Sequence, residues 1–307
     1  MIGVRDATVP EMAAWRDDWR SRLESWRGDA DVPADWVSQH AEHRMTNYAT
    51  AAKASTFALT VDGALVGIIA LSVDDEGGVR AGLIDDIWIA EQHRRKGHAS
   101  EAIAWAEHWV QAAGATSLWV TANPSEPAHA GLFRRYPIRE HQMIKRLTEP
   151  DALADGLASR PMTEAEYISW RADLVRGYAA DMANSGTLPD AEAASQAAAQ
   201  TDQLLPDGLR TANQSILCLC ATGEVVATNW LCYHRGPGIS WVYGVEVSAE
   251  HRGKGYGRAA MTIGEQAALD AGDTHLALNV FGHNEVAIRL YDSMGYRRHE
   301  DGRSVAI

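Results

Sequence analysis

The chain has 307 residues and a formal net charge of −13, from 28 lysines and arginines against 41 aspartates and glutamates. This acidic balance argues against a protein that binds nucleic acid or an anionic membrane, because neither partner would be attracted to it. The first residues lack a signal-peptide pattern, no apolar run is long enough for a membrane span, and cysteines are few, so we expect a cytoplasmic protein.

The first half of the sequence predicts a helix, a hairpin and a strand–helix–strand unit, in that order. Apolar residues recur at helical spacing between residues 12 and 23, which predicts a helix with one buried face. Residues 57–73 alternate as two strands around an Asp62-Gly63 turn. A strand then enters the segment IWIAEQHRRKGHASEA (87–102), a helix follows, and SLWVTA (117–122) is predicted as the next strand.

The second half repeats this order at a shift of 158 residues, the distance from His93 to His251. The same shift aligns Leu132-Phe133 with Leu290-Tyr291, and further matches occur in the first helices and the hairpins. We therefore expect two tandem α/β domains, each a mixed, mostly antiparallel twisted sheet flanked by helices. The predicted boundaries are 1–147 for the first domain, 148–158 for a linker and 159–307 for the second domain.

The segment VEVSAEHRGKGYGRAA (245–260) predicts a strand that turns through glycines into a helix. Glycines allow close backbone approach, and the helix N-terminus adds its positive dipole, so the turn suits phosphate oxygens. A tight turn without a ligand is the structural alternative. The spacing of Gly253, Gly255 and Gly257 fits neither the phosphate loop of nucleotide triphosphatases nor the dinucleotide-binding fingerprint.

The turn resembles the R/Q-x-x-G-x-G/A loop of the GCN5-related N-acetyltransferases, the GNAT superfamily. Arg252-Gly-Lys-Gly255-Tyr-Gly257 matches this loop, and so does Arg94-Arg-Lys-Gly97-His-Ala99. A second family motif, N-x-x-A-x-x-L-Y-x-x-x-G-[FY], is similar to residues 284–296, NEVAIRLYDSMGY. The two resemblances cover most of both halves. They imply the GNAT fold and an acyltransferase that takes acetyl-coenzyme A as its co-substrate.

The resemblance also implies which residues hold acetyl-coenzyme A. The loop would bind its pyrophosphate, and the strand before the loop would run beside its pantetheine arm. In the second domain the implied residues are Val245, Val247, Arg252, Gly253, Lys254, Gly255, Tyr256, Gly257, Arg258, Asn284 and Ala287. In the first domain they are Ile89, Arg94, Arg95, Lys96, Gly97, His98 and Ala99.

Acetyl transfer to an amine requires an acid for the departing thiolate and a base for the amine. Tyr291 matches the family's acid, and its alternative is a packing tyrosine. Glu246 alternates with two valines along a strand, so it is either the base or an exposed residue on a solvated face. His283 and Tyr243 are candidates for contact with the acceptor or for proton relay. We expect no metal, because His40 and His43 lack further ligands at useful spacing.

The two halves are not equivalent, because Phe133 stands where Tyr291 stands in the second half. Glu126 and Pro137 likewise replace Asn284 and Gly295. We therefore expect the second domain to acetylate a primary amine of a small molecule in a ternary complex. The first domain would hold a coenzyme, shape the acceptor cleft or only stabilise its partner.

This architecture is similar to that of mycothiol synthase, a tandem member of the family in which the second domain carries the chemistry. Acetylation of a cysteinyl pseudodisaccharide is therefore one alternative. A non-catalytic module that senses coenzyme A or binds a partner is another. The acceptor, the acyl chain length and the oligomeric state stay open.

Overall fold

A computed structural model describes residues 1–28, 31–76, 79–149, 152–184 and 190–307. The strands are β1 (Gly3–Asp6), β2 (Lys53–Val61), β3 (Ala64–Glu76), β4 (Val79–Ile89), β5 (Ser117–Ala122), β6 (Ile138–Arg146), β7 (Leu157–Pro161), β8 (Gln214–Ala221), β9 (Glu224–Gly236), β10 (Ile239–Val247), β11 (His275–Phe281) and β12 (Arg297–Ala306). The α-helices are α1 (Val9–Gly28), α2 (Ala34–Thr50), α3 (His98–Ala112), α4 (Pro127–Leu132), α5 (Glu164–Asn184), α6 (Asp190–Leu204), α7 (Tyr256–Asp270) and α8 (Glu285–Ser293).

The chain forms two compact units, of which the first is assembled from two parts of the sequence and the second is one continuous segment. Unit 1 contains Met1–Ile138 together with His299–Ile307, and unit 2 contains Arg139–Arg298. Both have the mixed α/β architecture that the sequence predicts, with a mostly antiparallel sheet between helices.

The strands of unit 1 follow the order β1-β2-β3-β4-β5-β12. β4 and β5 are parallel, and the other neighbouring strands are antiparallel. Helix α3 covers one face of the sheet, where Leu71, Ile84, Ala106 and Val110 belong to one buried cluster. Helices α1 and α2 cover the opposite face, where Trp15, Trp19 and Tyr48 pack on Ala58 and Ala70. The predicted first helix is therefore confirmed as an amphipathic element.

Unit 2 repeats this plan with the strand order β7-β8-β9-β10-β11-β6. β10 and β11 form the parallel pair, and the rest are antiparallel. Helices α7 and α8 pack on one face with Leu231, Val242 and Leu278. On the other face Trp170 of α5 packs with Trp230 and Cys218.

Both predicted hairpins are confirmed, and their turns have the expected backbone. Asp62 and Gly63 have φ values of 50° and 79°, and Thr222 and Gly223 have φ values of 52° and 90°. Positive φ at both central residues is the geometry whose twist matches that of the flanking strands.

The last strand of each unit comes from the other half of the sequence. β6 pairs with β11 from Glu140–Phe281 to Arg146–His275. β12 pairs with β5 from Asp301–Ala122 to Ala306–Ser117. Met143 of β6 is fully buried among the apolar side chains of unit 2, so this strand is part of the core.

This exchange changes the division expected from sequence, which was 1–147, 148–158 and 159–307. Residues 139–147 complete unit 2, and residues 299–307 complete unit 1. Part of the expected linker is also structured, because β7 begins at Leu157 and pairs with β8. Residues 150–151 of that linker lie outside the described residues.

Candidate active site

The two parallel strands of unit 2 separate partway along their length. β10 pairs with β11 from Ile239–His275 to Val242–Leu278, and in the described chain the remaining residues of the two strands do not pair with each other. A bulge at Tyr243 accompanies the separation, because β9 pairs with Val242 and with Gly244 but skips the residue between them. β10 stays bonded to β9 as far as Val247, so its other edge presents backbone N–H and C=O groups to the gap. An extended ligand can bond to this edge as an added strand would.

The turn that follows β10 has a left-handed backbone at two of its glycines. Gly253 and Gly255 have φ values of +76° and +85°, which residues with a Cβ rarely adopt. Gly255 is the N-cap of α7 and has no side chain to accept from the first N–H groups of the helix. A Cβ at either glycine would meet no atom within 4 Å, so the space beside the turn is open. This geometry suits an anion such as phosphate.

Gly257 allows close packing of the first turn of α7. A Cβ at this position would lie 3.2 Å from Leu290 Cδ2 and 3.7 Å from Val247 Cγ2. The first turn of α7 therefore lies close to both α8 and the end of β10. This contact joins the two sequence motifs into one structure.

The cations of the turn have different positions. Arg252 donates from Nε to the carbonyl of Val247 at 3.2 Å, which ties the turn to the end of β10. Arg258 donates to Ser293 Oγ at 2.6 Å. Lys254 is exposed. Arg252 therefore shapes the turn, while all three charges add positive potential around it.

Tyr291 lies on α8 among the apolar residues that line the α7 face of the sheet. Its side chain is 8% exposed, and its ring centroid lies 5.8 Å from that of Tyr296. Burial raises the pKa of Tyr291 to about 12. The phenol therefore keeps its proton at neutral pH and can donate a hydrogen bond to an anion that forms nearby.

Glu246 faces away from α7, as its alternation with the two valines predicts. Val245 and Val247 pack with Ala260 and Ile263 of α7, whereas the Glu246 side chain is exposed. Its neighbour on β9 is Thr228, whose hydroxyl accepts a hydrogen bond from Trp170 Nε1 at 3.2 Å. The carboxylate therefore lies on the α5 face of the sheet, across from Tyr291.

His283 is paired with a residue that the sequence did not identify, Asp181 of α5. His283 Nε2 lies 3.4 Å from Asp181 Oδ1, and the imidazole stacks on Phe281 with ring centroids 5.6 Å apart. Phe281 also contacts the ring of Tyr178, whose hydroxyl donates to Gln200 of α6. The end of β11 and the two helices thus form one side of a polar and aromatic surface.

Tyr243 lies on the same α5 face, 4.9 Å from Trp230 between ring centroids. Burial raises its pKa, which keeps the phenol protonated at neutral pH. Leu174 of α5 approaches the neighbouring Gly244. The bulge therefore turns an aromatic side chain toward the face that carries Glu246.

Asn284 and Ala287 form the cap of α8. The Asn284 side-chain oxygen accepts from the Ala287 N–H at 3.1 Å. This interaction explains the asparagine structurally, because it satisfies one free N–H group of the helix. The amide nitrogen of Asn284 is not needed for the cap and can donate to a ligand.

Unit 1 contains the same strand separation and the same turn. β4 pairs with β5 only up to Ile84–Val120, and a bulge at Asp85 matches the one at Tyr243. Arg94 donates from Nε to the carbonyl of Ile89 at 2.9 Å, as Arg252 does to Val247. Gly97 is the N-cap of α3 with φ of +87°, and Arg95 has φ of +61° where unit 2 has Gly253.

The first two residues of α3 differ from those of α7, and one cation of the preceding turn has a local partner. His98 and Ala99 replace Tyr256 and Gly257, and Ala99 packs against the unit 1 core. Lys96 donates to the carbonyl of Gln92 at 3.0 Å. Phe133, the counterpart of Tyr291, is buried and packs on Tyr136. Unit 1 therefore keeps the frame of the site without the phenol.

None of the helices in the described part of the chain combines the length and apolar character that a bilayer crossing requires. Across the same residues, no three histidine, cysteine, aspartate or glutamate side chains lie close enough together to hold a metal ion. His40 lies 3.6 Å from Glu300 and contacts the ring of Trp36.

Comparison with known proteins identifies the class to which this site belongs. A family model described as the acetyltransferase (GNAT) family matches residues 13–135 and 181–296, which is more than half of the chain. The chain therefore belongs to the GNAT family, and it is an N-acetyltransferase with two tandem copies of the fold.

Relatives occur both as single and as tandem proteins. The N-acetyltransferase YycN of Bacillus subtilis is 32% identical over 142 residues, which is 45% of this chain and 90% of that protein. The mycothiol acetyltransferase of Streptomyces griseus is 26% identical over 251 residues, covering 80% of this chain and 77% of that protein. A GCN5-related N-acetyltransferase structure from Sphaerobacter thermophilus superposes with a TM-score of 0.58 at 15% identity, covering 99% of this chain and 95% of that one. The tandem architecture is thus similar to that of the mycothiol acetyltransferases.

Proposed function

We propose that unit 2 transfers the acetyl group of acetyl-coenzyme A to the primary amine of a small molecule. The observation that carries this proposal is the combination of three features in one unit. These are the separated strands, the open glycine turn at the start of α7 and the buried phenol of Tyr291.

Acetyl-coenzyme A would extend from the turn along β10. Its pyrophosphate would accept from the backbone N–H groups at residues 253–257, while Arg252, Lys254 and Arg258 supply positive charge. Its pantetheine arm would bond to the free edge of β10 near Val245 and Val247. Asn284, Ala287 and Tyr256 complete the proposed contact surface.

The reaction would proceed by direct attack. The amine nitrogen forms a bond to the thioester carbonyl carbon, and the carbon–sulfur bond then breaks. A backbone N–H of β10 would stabilise the negative charge on the carbonyl oxygen. Tyr291 stays protonated at neutral pH and is the proposed donor to the departing sulfur. Burial makes it a weaker acid than a free phenol, so it would donate a hydrogen bond while charge develops on the sulfur, and any proton it passes on would be returned from solvent.

Glu246 is the proposed base that removes the proton of the attacking amine. Its exposed carboxylate lies on the α5 face, where an acceptor can approach from solvent. His283 and Tyr243 are proposed to contact the acceptor, and the Asp181–His283 pair offers a second route for the proton. We favour Glu246 over His283 as the base because Glu246 lies on β10, the strand that would hold the thioester.

Unit 1 is proposed to bind a coenzyme without turning it over. Ile89, Arg94, Arg95, Lys96, Gly97, His98 and Ala99 repeat the arrangement of the unit 2 turn. Phe133 has no proton to give, so a thiolate formed there would lack an acid. The net charge of −13 supports small molecules over nucleic acid or a membrane as partners, and the few cysteines support a cytoplasmic setting.

A second candidate acceptor is the amine of a cysteinyl pseudodisaccharide, as in mycothiol synthesis. The alignment with the mycothiol acetyltransferase of Streptomyces griseus over 80% of this chain favours it. A non-catalytic sensor of coenzyme A is a different class of function. The intact Tyr291 and Asn284 in unit 2 count against it.

The test is thiol release from acetyl-coenzyme A by the full chain, with a panel of primary amines that includes a cysteinyl glycoside. We expect release that depends on the amine, with one acetylated product per thiol by mass spectrometry. Binding of acetyl-coenzyme A without release by any amine would favour the sensor. No binding at all would remove the basis of the proposal.

A further inference from the structure

The strand separation in unit 1 holds a cluster of charged side chains. Asp85 and Asp86 lie on β4 at the bulge, where unit 2 has Tyr243 and Gly244. Arg22 of α1 and Arg44 of α2 reach the same place. The cluster therefore lies on the α1–α2 face, the counterpart of the face that carries Glu246 in unit 2.

Three of these charges have defined partners. Asp86 accepts from Trp15 Nε1 at 2.8 Å and forms an ion pair with Arg22. Arg44 donates to Thr121 Oγ1 at 2.8 Å. Thr121 lies on β5 beyond its last residue paired with β4, so Arg44 reaches across the gap between the two strands.

Asp85 is the exception, because one of its oxygens is buried without a partner. The residue is 7% exposed, and Oδ2 has no hydrogen-bond partner among the described residues. Ser72 of β3 and Arg44 favour its charged form, yet burial outweighs them and raises the pKa of Asp85 to about 7. Since nearly all buried polar groups are satisfied, this oxygen calls for a donor that the protein does not supply.

The side chains of the cluster differ in their exposure to solvent. The Arg22 side chain is 34% exposed and that of its partner Asp86 is 13% exposed, while Asp85 lies deeper. A ligand would thus meet the Arg22 guanidinium first and the unpaired carboxylate last, while the partly buried Arg44 lies beside that carboxylate. A hydrogen-bond donor with a positive charge fits the inner position, because a buried carboxylate gains most from a charged donor.

We propose that this cluster is a binding site for a small primary amine, whose ammonium group donates to Asp85 Oδ2. Arg22 would face the other end of the ligand and favour a polar or anionic group there. Unit 1 would hold such an amine without acetylating it, because Phe133 replaces the acid. The inference does not require that unit 2 is catalytic, so the two proposals fail independently.

The test uses the full chain at pH 8, where Asp85 is mostly ionised, and ethanolamine as the probe. The Glu246→Gln variant serves as the background, so that the amine site proposed in unit 2 is weakened. Ethylene glycol, at the same ionic strength, is the neutral comparator. Calorimetry and thermal denaturation report binding.

We expect saturable ethanolamine binding that falls at least tenfold when Asp85→Asn is added to the background. Asp75→Asn is the matched control, because Asp75 is an exposed aspartate of unit 1 that pairs with Arg80. It should leave the binding unchanged. Equal binding by the Asp85→Asn and Asp75→Asn chains would overturn the proposal.

A crystal structure of the Glu246→Gln chain grown with ethanolamine decides the matter if Asp85→Asn prevents folding. Density for the amine within hydrogen-bond distance of Asp85 Oδ2 would support the site. A water molecule alone at that position would overturn it, because water would then satisfy the oxygen.

Discussion

Tyr291 and Phe133 differ by one hydroxyl group, and this difference separates the two units chemically. Both side chains are buried at equivalent positions of the repeat, Tyr291 within α8 and Phe133 at the C-cap of α4, so burial alone does not distinguish them. In the proposed mechanism the hydroxyl is the donor to the departing sulfur. The assignment can therefore be tested by a substitution that unit 1 already contains.

Replacing Tyr291 by phenylalanine should lower kcat by about 100-fold, a typical cost of losing a general acid. The Kd for acetyl-coenzyme A should stay the same, because the aromatic ring and its packing are kept. Steady-state kinetics and calorimetry measure the two quantities. Tyr136→Phe is the control, since it removes a buried hydroxyl of unit 1 that donates to Glu107. An unchanged kcat for Tyr291→Phe would mean that water or another group protonates the sulfur.

Asp85 should make the chain less stable as the pH rises. Its pKa is raised from 3.8 to about 7, so the folded state binds its proton more tightly than the unfolded state does. Stability therefore falls as the pH rises from about 4 to 7 and then stays low. The cost is up to about 4 kcal/mol, because one pKa unit corresponds to about 1.4 kcal/mol.

The Asp85→Asn variant should remove this cost. Its Tm should exceed that of the parent chain at pH 8 and approach it at pH 4.5, as measured by thermal denaturation in the absence of amines. Asp75→Asn should show no such trend. A Tm gain that is independent of pH would assign the effect to shape rather than to charge.

At the scale of elements, the glycine turn is the feature for which sequence and structure agree most closely. The sequence predicts a turn that uses the freedom of glycine, and Gly253 and Gly255 have positive φ, whereas Gly257 lies within α7. Such local geometry can be predicted because it depends on a few adjacent residues. In unit 1, Arg95 has φ of +61° at the position of Gly253, so a residue other than glycine can also adopt this backbone geometry.

Gly255→Val should weaken acetyl-coenzyme A binding by at least about 100-fold while the chain stays folded. A β-branched residue is strained at φ of +85°, and its side chain would occupy the space beside the N–H groups. Gly223→Val is the matched control, because Gly223 has φ of 90° and open surroundings in the β8–β9 turn. It should cause similar strain without loss of affinity. Calorimetry showing equal affinity for both variants would contradict the pyrophosphate assignment.

The pairing of β6 with β11 of unit 2 could not be predicted from the sequence. Residues 138–146 and 297–306 occupy equivalent positions of the repeat, so periodicity does not indicate which unit each strand joins. The contact between His283 and Asp181 was missed for a related reason, since 102 residues separate the two. Local patterns predict elements, whereas the choice between two similar long-range partners depends on the assembled core.

The ion pair of Lys145 with Glu265 allows the contribution of β6 to stability to be measured. The Lys145 ammonium lies 2.7 Å from Glu265 Oε1, and the Glu265 side chain is nearly inaccessible. Lys145→Met should destabilise the chain by about 3–5 kcal/mol, because it leaves a buried carboxylate unpaired. The double variant Lys145→Met with Glu265→Met should recover most of this loss. Urea denaturation measures both, and a double variant no more stable than Lys145→Met would show that the pair itself is not the cause.

At the scale of the whole molecule, the compact units determine which fragments can fold. A fragment of residues 159–307 contains the proposed catalytic residues but lacks β6. It loses the burial of Met143 and Leu147, each about 2 kcal/mol, and exposes the β11 edge.

A fragment of residues 139–298 should therefore have a higher Tm than one of residues 159–307, although both carry Tyr291 and the glycine turn. The first contains every strand of unit 2, and the second replaces β6 with residues that complete unit 1. Thermal denaturation of the two fragments gives the comparison. Equal stability would mean that β6 contributes little to unit 2.

The exchanged strands also impose an order of events during synthesis. The ribosome makes residues 1–138 first, yet unit 1 still lacks the strand that pairs with β5 until residues 299–307 have emerged. The edge of β5 therefore stays open while unit 2 is translated, and an open edge is a site for mispairing. All strands of unit 2 have been translated by residue 298, whereas unit 1 still needs residues 299–307. Unit 2 can therefore complete its sheet before unit 1 does. A nascent chain halted before residue 299 would contain a complete unit 2 and an unfinished unit 1.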